Sequence, residues 1–89
     1  MVSLNRVMLD VLKPHAPTIL ELATELAELG TDYEVRIRVV EIDEKTETLE
    51  LVVAGADVDL EQVEETITAL GGSVHSIDEV VVSSRRATG

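Results

Sequence analysis

Two β-α-β halves follow one another within 89 residues, and that order leaves few ways to build a sheet. Val2 to Leu12 is an apolar, β-branched run that Pro14 and Pro17 bring to an end, as a first strand requires. Thr18-Ile19-Leu20-Glu21 has the form of a capping box, in which hydroxyl and carboxylate each satisfy a free amide at a helix start. Ile19, Leu22, Ala23, Leu26 and Leu29 then recur at helical spacing until Gly30. Val35, Ile37 and Val39 alternate as a second strand. The parity slips at Val39-Val40, which predicts a β-bulge there before Ile42. Asp43 to Thr46 is a polar turn, and Leu49, Leu51 and Val53 alternate as the third strand of a hairpin ended by Gly55. Asp59 and Gln62 predict a second capping box, followed by a helix striped with Leu60, Val63, Ile67 and Leu70 as far as Gly71-Gly72. Val74 to Val82 supplies a fourth strand.

The order βαββαβ, with right-handed crossovers, predicts an α+β ferredoxin-like sandwich. Its antiparallel sheet would run 4-1-3-2 with both helices on one face. Residues 1–82 would form the single domain and residues 83–89 a disordered tail. With no Phe, no Trp and only Tyr33, the core must be aliphatic. The second face of the sheet would carry Met8, Leu12, Val40 and Val52, which favours a covering partner subunit.

Charge narrows the function classes. There are 18 acids against 7 bases, a net charge of -11, and five of the bases are Arg. This load suits a salty cytoplasm, where screening relieves self-repulsion. It disfavours nucleic acid as a partner, which needs cationic surface and usually aromatic platforms. Cysteine is absent, so disulfides, thiolate metal sites and thiol nucleophiles are excluded. No run is apolar enough for a membrane span and no export signal opens the chain, so a soluble cytoplasmic protein is expected.

In this topology the ends of strands one and two and the starts of strands three and four share one edge. That edge gathers Asp10, Lys13, His15, Glu41, Asp43, Glu47, His75 and Ser76, with Asp78 about a rung further along. Asp10, set among apolar neighbours, needs a partner. Asp10, Glu41, Asp43, His75 and Asp78 are the candidate metal ligands. Carboxylates and hydroxyls suit calcium or magnesium, while two histidines suit a transition metal such as zinc. Lys13 and His15, ahead of the first helix, are instead the candidates for capturing an anion. No Ser-His-Asp arrangement or nucleophile elbow is visible, which argues against catalysis.

The runs Leu9-Asp10-Val11-Leu12-Lys13-Pro14-His15 and His75-Ser76-Ile77-Asp78-Glu79-Val80 carry a family resemblance. With Val40-Glu41-Ile42-Asp43 and Thr46-Glu47 between them, they resemble the archaeal family known as domain of unknown function 211, over about residues 4–81. The resemblance implies archaeal origin and homo-oligomeric assembly, of which a ring is one form, and it raises calcium above magnesium and zinc. It implies no activity. The expectation is a non-enzymatic, homo-oligomeric cytoplasmic protein that binds a divalent cation at the shared edge. The alternative is a regulatory module that binds an anionic metabolite near Lys13 and His15 at a subunit interface.

Overall fold

A computed structural model describes residues 1–84. Its elements are β1 (Val2–Pro14), α1 (Ile19–Ala27), β2 (Glu34–Ile42), β3 (Thr46–Ala54), α2 (Leu60–Ala69) and β4 (Ser73–Ser84). The sheet order is β2-β3-β1-β4, every pairing antiparallel, which is the ferredoxin-like arrangement. Two strands outrun their expected ends. β1 continues to Pro14 because Lys13 and Pro14 still face Glu47 and Thr46, and a proline at a strand end forfeits only a terminal amide bond. β4 continues to Ser84 because Ser83 and Ser84 pair with Ser3 and Val2. Residues 83 and 84 are therefore strand, and the rest of the expected tail, residues 85–89, lies outside the described residues.

Local chemistry sets the helix ends. Thr18 and Glu21 close the expected capping box, with Thr18 N donating to Glu21 Oε1 at 2.9 Å and Glu21 N to Thr18 Oγ1 at 3.1 Å. At α2 only half of the expected box forms. Asp59 Oδ1 accepts from Gln62 N at 3.1 Å, but the Asp59 amide donates to the Tyr33 hydroxyl at 2.7 Å. The lone aromatic thus takes the place that a Gln62 side chain would have filled. α2 ends at Gly71, whose φ of 93° is open to glycine at little cost. Gly72 N donates to Ile67 O and Gly71 N to Thr68 O, the two bonds of a Schellman stop.

Alternation divides the sheet into two faces. Towards the helices, Val7, Leu9 and Val11 of β1 stand on rungs with Val53, Leu51 and Leu49 of β3, all without exposed surface. Leu22 and Leu26 of α1 and Val63 and Ile67 of α2 close over them, giving the aliphatic core. The bulge predicted in β2 is present: the register with β3 shifts between Val39 and Glu41. Pairing between β1 and β4 shifts three times, leaving Asn5 of β1 and His75 and Asp78 of β4 as extra residues. No helix among the described residues is long and apolar enough to cross a membrane.

Candidate functional site

The face away from the helices is built from four rungs, read across β2, β3, β1 and β4. They are Glu34-Ala54-Arg6-Val81, Arg36-Val52-Met8-Glu79, Arg38-Glu50-Asp10-Ser76 and Glu41-Thr48-Leu12-Ser73, with the β2 residue of the fourth rung set beside the bulge. Asp10 and Glu50 are the two carboxylates at the centre of the third rung. For Asp10, Oδ2 lies 3.3 Å from Nδ1 of His75, the extra residue of one β4 bulge. Asp78, the extra residue of the next, accepts from the Ser76 hydroxyl at 2.7 Å. An ordinary strand would put positions 75 and 78 on opposite faces, so the bulges are what aim both toward Asp10. Asp10 and Asp78 line a shallow hollow of about 260 Å³ with Val40, Thr48, Leu49 and Glu50. A neighbouring hollow of about 250 Å³ is lined by Asp10, Leu12, Thr48 and His75.

Of the predicted metal ligands, then, Asp10, His75 and Asp78 are brought together on one face. Glu41 lies on that face by register, one rung on and two strands across, and is exposed. Asp43 lies apart in the β2–β3 turn, where its Oδ1 accepts from Glu44 N at 3.0 Å. Among the described residues no three His, Asp or Glu side chains converge as a metal-holding group within one chain. The charges beside Asp10 are matched locally, by Arg38 with Glu50 at 3.2 Å and Arg6 with Glu79 at 2.7 Å.

A second polar cluster occupies the helix side of the same end. Lys13 is 2% exposed, and its ammonium donates to the carbonyls of Pro14 (2.7 Å) and His15 (3.3 Å) while meeting Glu47 Oε1 at 3.0 Å. Those three partners match its three hydrogens, leaving none free for an outside anion. Glu47 Oε2 lies 3.1 Å from His15 Nδ1, and His15 Nε2 lies 3.1 Å from the Glu44 carbonyl. Glu47 therefore joins β1, the β1–α1 loop and the β2–β3 hairpin. It stood among the residues gathered at this edge, but its bridging role depends on the rung Lys13–Glu47, which follows only once the hairpin register is fixed.

Both ring nitrogens of His15 face acceptors, so the doubly protonated ring is favoured. The Glu47 carboxylate first, and the Glu44 carbonyl next, raise its pKa above the ordinary 6.5. Glu47 is held below its ordinary 4.5, chiefly by His15 and then by Lys13. The signs give a pH window. The His15 contribution is complete below 6.5 and is lost as pH rises through the raised value. The Glu47 contribution is complete above 4.5 and is lost as pH falls through the lowered value. This cluster therefore stabilises the fold most between about pH 4.5 and 6.5. In melting curves across pH, His15→Gln should flatten the alkaline decline and also shallow the acid one, leaving the part that Lys13 sustains through Glu47. An unchanged alkaline limb would remove His15 from this role.

Comparison with known proteins bears on the whole domain. The sequence model of domain of unknown function 211, described as uncharacterised ArCR, matches residues 5–86. MJ0319, an uncharacterised protein of Methanocaldococcus jannaschii, is 42% identical over 82 residues, covering 92% of this chain and 84% of that protein.

Proposed function

The chain belongs to the archaeal domain-of-unknown-function 211 family, and on that footing we propose a non-enzymatic, homo-oligomeric cytoplasmic protein that binds a divalent cation on its open sheet face. Asp10 and Asp78 would supply carboxylate oxygens, Ser76 and Thr48 hydroxyls, and His75 a ring nitrogen. The observation that carries this reading is the pair of β4 bulges that aim His75 and Asp78 toward Asp10. Oxygen-rich donors of this kind suit calcium, at about 2.3–2.6 Å, better than the tighter octahedron of magnesium or the nitrogen- and sulfur-rich sites of zinc. The described residues of one chain offer too few converging ligands. The remaining ones would come from water and from a second copy, which ties cation binding to assembly.

Titration calorimetry with calcium, magnesium and zinc tests the reading. Calcium should give binding heat and raise the melting temperature, by roughly 2.7 kcal/mol of stability at a hundredfold excess over Kd. Asp10→Asn should weaken binding at least about tenfold, the effect of losing one well-aligned charged ligand. No heat and no thermal shift with any of the three ions would overturn it. The rival, an anionic-metabolite module at Lys13 and His15, has less support, because every Lys13 hydrogen has a partner within the chain.

A further inference from the structure

We propose that the helix layer carries a docking groove for a cationic amphipathic helix supplied by another protein. The groove is separate from the cation-binding reading and lies on the other side of the sheet from it. Its centre is a hollow of about 520 Å³ between one side of α1 and the end of α2, lined by Pro17, Leu20, Glu21, Thr24, Glu25 and Leu70. Leu20 is 74% exposed, whereas Leu22 and Leu26 of the same helix are buried in the core. It therefore adds little to the fold and holds apolar area that a partner would take out of water. Leu20 with Thr24, and Glu21 with Glu25, are spaced to set an apolar row beside an acidic one along α1. Thr24 Oγ1 donates to Leu20 O at 2.8 Å, so its hydroxyl is spent on the helix and the wall gains a methyl group. Pro17 and the half-buried Leu70 complete the apolar lining.

Charge decides the occupant. The chain has no Lys or Arg between Lys13 and Arg36, nor between Lys45 and Arg85. Both helices therefore carry acids alone, with Glu21, Glu25 and the capping Glu28 on α1 and Glu61, Glu64 and Glu65 on α2. Among the described residues none of these six has an ion pair, whereas the open sheet face matches its own acids with Arg6 and Arg38. A second hollow of about 410 Å³, lined by Glu61, Glu64, Glu65, Thr68 and Ala69, continues the acidic lining along α2 from the residues next to Leu70. The last turn of α2 has no base, so its carbonyl end adds to the negative potential. The amide end of α1, which would oppose it, is already closed by Thr18 and Glu21. An apolar row flanked by unpaired carboxylates fits a helix with leucine-type anchors on one face and Lys or Arg beside them. A bare polyamine would leave the apolar row wet. Anionic membranes and nucleic acids would be repelled, and a second copy brings helices as acidic as these.

Fluorescence anisotropy tests the groove with a labelled peptide of about four helical turns, its leucines and lysines placed at helical spacing. This peptide should bind with a micromolar Kd, and one of the same composition in strictly alternating order should bind at least about tenfold more weakly. Leu20→Glu separates docking from plain attraction of opposite charges, because it removes the apolar anchor while adding an acid. It should weaken binding at least about tenfold, where a general charge effect would strengthen it. Glu25→Lys should also weaken binding about tenfold. Glu34→Lys makes the same change of charge on the open sheet face and should alter binding less than about twofold at 0.15 M salt, where screening acts within about 8 Å. Circular dichroism melts check that each variant is folded. Leu20→Glu should fold as wild type does, because position 20 is exposed and the first turn of a helix favours acids. No binding by the helical peptide, equal binding by the alternating one, or Leu20→Glu that binds as tightly as wild type would each overturn the proposal. So would a Glu34→Lys loss equal to that of Glu25→Lys. Displacement of the peptide by spermine or by anionic vesicles, or a fall in sedimenting mass with Leu20→Glu alone, would overturn it too by giving the groove another occupant.

Discussion

Replacing Glu47 with leucine should lower the melting temperature by roughly 10 °C, although Glu47 itself keeps some contact with solvent. The effect comes from Lys13. Its ammonium is almost wholly withdrawn from water, and Glu47 is its counter-charge. Without Glu47 the two carbonyls of Pro14 and His15 would hold a full positive charge in a poorly solvated place. Removing one partner of a buried pair costs more than the pair contributes, because the survivor is left uncompensated. Lys13→Met combined with Glu47→Leu should therefore recover most of the loss, since a buried charge is exchanged for packing of similar volume. The double-mutant cycle, read by thermal melts, should show strong coupling between positions 13 and 47. Additive losses would mean that Lys13 finds its compensation elsewhere.

Raising salt from about 0.1 to 2 M should stabilise the wild-type fold by about 3 kcal/mol, which is roughly 10–20 °C in melting temperature for a domain this small. Self-energy grows with the square of the net charge and falls with the size of the body that carries it. A net charge of -11 is held here at a radius of gyration of 13.4 Å, against about 30 Å in an unfolded chain of this length. At 0.1 M the screening length of about 10 Å lets much of that repulsion act across the folded domain, and at 1 M, near 3 Å, little remains. Sodium chloride and potassium chloride should act alike in melting curves. A flat response would show that the acids are already compensated pairwise and would remove the case for a salty cytoplasm.

The order of elements was legible because the apolar period changes sharply at each boundary, from two at Val35-Ile37-Val39 to helical spacing at Leu22-Leu26. Topology then followed, and with it the neighbourhood of Asp10 and Ser76, which share a rung. Even the β2 bulge showed in the parity slip at Val39-Val40. The β4 bulges did not, because Ile77, Val80, Val81 and Val82 follow no clean alternation and several phases fit equally well. His75 and Asp78 could be placed near Asp10, but their common facing could not be derived. Lys13 was misleading for a different reason. Its residue type is the least often buried, and only the rung with Glu47 and the turn of the following loop enclose it. Asp43 shared the edge by topology, yet a residue in a tight turn spends its carboxylate on the nearest amide, here that of Glu44.

The two insertions in β4 also bear on what the protein avoids. β4 is an outer strand of 12 residues in which Ile77, Val80, Val81 and Val82 are 44% to 52% exposed, a composition that invites strand-on-strand growth into fibres. A foreign strand laid along it would meet a backbone whose repeat is broken at His75 and again at Asp78, so no regular partner can keep step for more than a few residues. Deleting both residues would restore the step. Such a shortened chain should be the one that forms fibrils, even though it loses no apolar contact in the core.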